Sequence, residues 1–164
     1  MNMDPLFAGR LIRTYNGHYF DVFDPNPDQI DIEDIAHSLS LLCRFAGHIK
    51  SFYSVAEHSI WVAEKVSKKH ALAALLHDAS EAYLVDIPKP IKDEIPHYLE
   101  IEKDLMSVIS KKFNFEFPLS DEVKLFDREA LVFEWENKVL SDNFESMDSQ
   151  TSKNKFLEIY HKIK

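Results

Sequence analysis

Ala73-Ala74-Leu75-Leu76-His77-Asp78-Ala79-Ser80-Glu81-Ala82-Tyr83 places a histidine and an aspartate side by side inside a strongly apolar, glycine-free run. The apolar spacing predicts a helix from just after Lys69-His70 to about Leu84. Burying an imidazole or a carboxylate without a partner is costly. A divalent metal would compensate both side chains at once, provided other segments supply further ligands.

Working outward, the composition supports a mainly helical chain. Three glycines in 164 residues, with abundant Leu, Ile, Ala, Glu and Lys, favour helix over sheet. The length suits one domain, residues 1–164, able to bury a core without staples. Cys43 is the single cysteine, so no intramolecular disulfide forms and a cytoplasmic location is expected. No apolar run approaches a membrane span, and no signal-peptide core is seen at the N-terminus. The net charge of −9 argues against binding a nucleic-acid polymer.

Residues 1–10 carry no element signal. Two β-prone arms flank Asn16-Gly17 over residues 11–23, the pattern of a small hairpin, and Asp24-Pro25-Asn26-Pro27-Asp28 ends it as a loop. The helical body spans about 31–164. A first helix is expected from Asp31 as N-cap to about Arg44, with Gly47 as its stop. Ser54-Val55-Ala56-Glu57 has the form of a capping box that opens a helix to about Lys68. Val85-Asp86-Ile87-Pro88-Lys89-Pro90 cannot be helical throughout and could line a cleft. A fourth helix covers Pro96–Phe113, and a fifth runs from Ser120 as cap through Asp121–Leu140, with Val123, Phe126, Ala130 and Leu131 as its core stripe. Ser141–Asn154 is polar and turn-rich, followed by a short amphipathic helix through Phe156, Ile159, Tyr160 and Ile163. Trp61 and Trp135 read as core.

Adjacent helical residues point about 100° apart, so His77 and Asp78 can share a metal only over the groove between them. His58, early in the preceding helix, would meet His77 if the two helices pack antiparallel. Asp127 interrupts an apolar stripe. Each is bland alone: a lone buried histidine is usually a hydrogen-bonded core residue, and a lone Asp a surface or ion-pair residue. Together, two imidazoles and two carboxylates suit a borderline divalent ion such as Co, Mn, Zn, Fe or Ni.

The pattern His58 … His77-Asp78 … Asp127 resembles the signature of the HD-domain metal-dependent phosphohydrolases. Ser54–Ser59 and Leu76–Lys92 are similar to the small single-domain branch that contains bacterial 5′-deoxyribonucleotidases. Asp31–Phe45 and Phe52-Tyr53 are closer still to phage and bacterial members that include phage dATP triphosphohydrolases. The resemblance covers roughly residues 11–135 and implies an all-α HD-domain helical bundle with a small N-terminal β-hairpin. It implies His58, His77, Asp78 and Asp127 as metal ligands, Glu81 as catalytic acid/base, and Asp86 as a carboxylate that orients water or sugar. If both lie on one helix, Glu81 is four residues after His77, ~5–6 Å away between Cβ atoms. Arg44-Phe45 matches an Arg–aromatic pair that contacts phosphate and packs on sugar or base; Phe45 keeps the apolar face but lacks the indole donor of the deoxyribonucleotidases. Lys92 and Lys89, on the loop, are further candidate phosphate contacts.

The expected function is hydrolysis of 5′-(deoxy)nucleotides by one divalent transition metal, leaning to a dATP-type dNTP triphosphohydrolase. An additional Mg or Mn ion would accompany a triphosphate, and a homo-oligomer is expected. A dNMP 5′-nucleotidase with the same site is the alternative. A catalytically dead nucleotide-binding module, or a cyclic-nucleotide or guanosine tetraphosphate hydrolase, fits less well.

Overall fold

A computed structural model describes residues 9–164, and residues 1–8, to which no element was assigned, lie outside them. Among the described residues are one two-stranded antiparallel sheet, β1 (Leu11–Arg13) and β2 (Tyr19–Asp21), and eight α-helices. The helices are α1 (Ile32–Leu41), α2 (Val55–Lys65), α3 (Ala71–Leu75), α4 (Glu81–Leu84), α5 (Lys89–Lys92), α6 (Pro96–Phe113), α7 (Asp121–Glu134) and α8 (Ser149–Ile163). No helix among the described residues is long and apolar enough to cross a membrane.

The hairpin forms where expected, with Ile12 opposite Phe20. Its turn is not the two-residue form that Asn-Gly suggests. Thr14 N–H donates to His18 O at 2.8 Å and Gly17 N–H to Thr14 O at 3.0 Å, and of the pair only Gly17 takes a positive φ, 91°. Phe20 is fully buried and its ring centre lies 4.5 Å from that of Tyr83, which docks the hairpin on α4.

The bundle is built round α2, which packs on α1, α3, α7 and α8. Eight of its eleven residues are buried, Glu57, His58 and Ser59 among them. A helix covered on nearly every side must satisfy its polar groups internally. Ser54 Oγ accepts from Glu57 N–H at 3.0 Å, but the Glu57 carboxylate does not close the capping box; it accepts from Met147 N–H at 3.0 Å instead.

Several boundaries differ from expectation, each for a local reason. α1 stops at Leu41, not Arg44, because the chain turns into extended conformation and Cys43 pairs with Ser54 in an isolated bridge. Phe45 and Ala46 then take φ values of 55° and 50°, ahead of Gly47 at 79°. Non-glycine residues hold such angles only when their surroundings enforce them. α2 ends at Lys65; Ser67 is held by Glu122 instead, through its N–H at 2.7 Å and Oγ at 2.9 Å.

The helix expected through the His-Asp stretch is broken. α3 closes at Leu75, and Ala79, Glu81 and Tyr83 donate backbone N–H groups to Leu76, Asp78 and Ser80, three residues back. His77 and Asp78 therefore sit in a tight turn, and the one-helix spacing argument for Glu81 does not apply. The helix expected over about Asp121–Leu140 runs without a break to Val139, as α7 to Glu134 and then as a π turn over Trp135–Val139. α8 begins at Ser149, capped by Asp148 accepting from Thr151 N–H at 2.7 Å, ahead of the predicted start. Leu131 and Trp135 are 42% and 49% exposed, so neither belongs to the core, whereas Trp61 is partly buried and stacks on Phe133.

Candidate metal centre

Three segments meet at one end of α2: its first turn carries His58, the turn after α3 carries His77 and Asp78, and the middle of α7 carries Asp127. His58 Nε2 lies 3.2 Å from His77 Nε2, 3.4 Å from Asp78 Oδ2 and 3.1 Å from Asp127 Oδ1. His77 Nε2 is 3.2 Å from Asp78 Oδ2 and 3.5 Å from Asp127 Oδ1. The donor atoms of His58, His77 and Asp127 all lie within 4.8 Å of one another, and Asp78 Oδ2 stands against both imidazoles. Neighbouring ligands of an ion bound at about 2.1 Å stand roughly 3.0–3.4 Å apart, so the observed spacings fit a single ion.

The orientation of the imidazoles provides a second test of fit. His58 Nδ1 is 2.5 Å from Glu134 Oε1, and His77 Nδ1 is 2.6 Å from the Ala74 carbonyl oxygen. Each Nδ1–H donates outward, which leaves each Nε2 as an acceptor facing the other and two carboxylates. Four such atoms converging need positive charge among them, supplied either by a bound cation or by a proton on the imidazoles. Burial works against charge on His77, yet Asp78 and Asp127 outweigh it and hold the imidazole well above its ordinary value. His58 is raised too: burial and Arg44 oppose the charge, Glu134 and Asp127 favour it. Asp78 and Asp127 resist protonation despite burial, because the imidazoles face them.

The proposed proton donor lies against this group. Glu81 is 5% exposed, and its Oε2 has no hydrogen-bond partner among the described residues. Burial, then the Asp78 and Asp86 charges, push its carboxyl well above the usual range, against the pull of Lys92 and Arg44. Its other oxygen is 3.6 Å from Lys92 Nζ. Burial raises the Asp86 carboxyl as well, and Arg44 Nη1 is 3.7 Å from it.

Arg44 faces inward from the left-handed turn. It lies 4.0 Å from Asp78 and 2.9 Å from Glu134, and these acidic partners overcome its burial to hold the guanidinium firmly charged. Phe45 lies beside it, its ring centre 6.4 Å from that of Trp135. Lys92 is held by Glu102 at 2.8 Å and remains within reach of Glu81. Lys89 is not brought to the site. Its side chain is 80% exposed and bonded to Asp93 one turn on, because α5 starts at Lys89 and turns it outward.

Sequence reasoning missed Glu134. It is fully buried and joins His58 to Arg44 with its two oxygens. Its signal was present: Val123, Asp127, Ala130 and Glu134 recur on one face of α7, and an acid continuing a core stripe needs a partner. What could not be read was the partner, 76 residues earlier.

No family model matches the chain. It is 42% identical over 132 residues to YfdR, an uncharacterized protein of Escherichia coli strain K12, over 80% of this chain and 74% of the relative. An uncharacterized protein of Rhodobacter capsulatus is 37% identical over 122 residues, 68% of this chain and 62% of that protein.

Proposed function

This chain belongs to the family of YfdR, and from the geometry of its His–Asp centre we propose that it is a metal-dependent phosphohydrolase of 5′-nucleotides. The observation that carries the reading is the convergence of His58, His77, Asp78 and Asp127 beside a buried Glu81 carboxyl whose pKa is raised by burial and by the Asp78 and Asp86 charges. The resemblance of Asp31–Phe45 to dATP triphosphohydrolases favours a deoxynucleoside triphosphate, with products deoxynucleoside and triphosphate.

A divalent ion held by these four residues would polarise a phosphoryl oxygen and make water more acidic. The chain's own groups supply the rest. Glu81 protonates the leaving 5′-oxygen, which a carboxyl with a raised pKa can do near neutral pH. Arg44 offsets charge that develops on the phosphoryl group, held in place by Glu134. Asp86 orients water or the sugar, and Lys92 keeps the proton on Glu81 from being held too tightly. Phe45 offers an apolar face to sugar or base.

The test is a screen of all dNMPs and dNTPs with added Co, Mn or Mg, in which orthophosphate and triphosphate are separated. Triphosphate from dATP supports the reading. Orthophosphate from dNMPs alone supports the 5′-nucleotidase alternative. Purified protein free of transition metal that hydrolyses nothing with added Co or Mn overturns both.

A further inference from the structure

The hairpin leaves a cavity where it meets the helical body. This space of about 300 Å³ is lined in part by Arg13 and Tyr15 from the hairpin, Asp34 and His37 from α1, and Tyr83 from α4. None of them belongs to the metal centre. Asp34 is 3% exposed. Its Oδ1 accepts from the Asn16 backbone N–H at 2.6 Å, while Oδ2 has no hydrogen-bond partner among the described residues. A buried carboxylate oxygen without a donor is unfavourable, so this wall has an unmet demand for an N–H or O–H group.

Two further features share the cavity. The Tyr15 and His37 rings stack with centres 3.7 Å apart and planes 17° from parallel, forming a flat aromatic wall. Burial and the Lys153 ammonium, against the Asp34 charge, hold the His37 imidazole below its ordinary value; the same ammonium lies over the Tyr15 ring at 4.7 Å, so the neutral ring of the pair is His37. At the rim, Arg13 is exposed and makes no ion pair with another described residue. An acceptor at depth, a flat wall and a cation at the rim form an ordered sequence. It matches a planar ring with an N–H edge at one end and an anion at the other. The volume lies at the small end of the usual range for ligand pockets.

We propose that this cavity is a second ligand site, separate from the metal centre, for a nucleoside phosphate bound base inward. An N–H of the base meets Asp34 Oδ2, the base lies against the His37 ring, and the phosphate meets Arg13. The site does not depend on the phosphohydrolase reading.

The test is calorimetric titration of the full chain with dGMP and with dAMP, carried out on Asp78→Ala so that the metal centre does not contribute, with the His37 ring resonances followed by NMR. The expected result is one equivalent bound, with the His37 signals shifting. Asp34→Asn, added to Asp78→Ala, turns the inner acceptor into a donor. It and Arg13→Ala are each expected to weaken binding about tenfold or more, the scale of a hydrogen bond to a charged group. Arg13 is exposed, so its variant keeps the test decisive if Asp34→Asn disturbs the hairpin. Absence of binding to Asp78→Ala overturns the proposal, as does binding that both added variants leave unchanged. Failure of the phosphohydrolase reading appears separately, as a wild-type chain that hydrolyses nothing.

Discussion

Glu134 and His58 form the closest link between the candidate metal centre and the rest of the protein: Glu134 Oε1 lies 2.5 Å from His58 Nδ1, and both side chains are fully buried. The other Glu134 oxygen takes Arg44 Nη2 at 2.9 Å and Nε at 3.2 Å. One carboxylate thus sets the tautomer of a candidate ligand and the position of a guanidinium. Glu134→Ala is expected to lower metal affinity by about 10–100-fold, the usual cost of losing such a partner. Competition with a chromophoric chelator measures it. Glu134→Gln can still accept from His58, so it should hold metal more tightly than the alanine variant while raising KM through Arg44. Equal metal loss in both variants would contradict the separate roles.

Asp78 and Glu81 are three residues apart but are expected to fail differently. Asp78→Ala loses metal and activity together. Glu81→Gln keeps the metal and lowers kcat by roughly 10²–10⁴-fold, the range for removing a general acid. Metal analysis alongside kcat separates the two, and a Glu81→Gln protein without metal would remove Glu81 from the role of proton donor.

Lys92 Nζ stands 3.6 Å from Glu81 and lowers the pKa of that carboxyl. Removing the cation in Lys92→Met lets the Glu81 pKa rise further. The acid then stays protonated to higher pH, and the alkaline limb of the kcat profile should move upward. Movement in the opposite direction would show that Lys92 does not face the working carboxyl.

Glu57 provides a pH test of stability that needs no substrate. Burial pushes its carboxyl up to about 7, against the Met147 N–H and the Lys138 and Lys155 charges. A carboxyl with a raised folded pKa binds more protons when folded, so its contribution is fully present below the unfolded value near ~4.3 and is lost as pH rises towards 7. The loss should be roughly 1–3 kcal/mol. Urea unfolding of wild type and Glu57→Gln across pH 4.5–7.5 should show a slope in the former that flattens in the latter.

How far the fold can be read from the chain varies by element. α6 matches its expected bounds because Pro96 starts it and the stripe through Leu105, Ile109 and Phe113 is unbroken. Asp31, Ser54 and Ser120 cap the helices they were expected to cap, since a cap is a contact between near neighbours. Boundaries failed where a distant partner competed with the local pattern. Ser54 draws Cys43 into a bridge and shortens α1, and Met147 takes the Glu57 carboxylate that would have completed the capping box.

Sequence alone determined that this chain is a helical protein with an N-terminal hairpin, because periodicity, capping and turn residues act over a few positions. It also singled out His77 and Asp78 as polar groups inside an apolar run, Asp127 as a break in an apolar stripe, and His58 by its place early in the preceding helix. Tertiary structure decided how they meet. Only the packing of α2 against α3 and α7 brings the two Nε2 atoms to 3.2 Å, and His77 and Asp78 face one point from a turn and not from the continuous helix that was expected. Glu134 and Lys89 show the same limit from both sides. The first is tied to the candidate site by a partner 76 residues away, and the second is turned to solvent by a short helix.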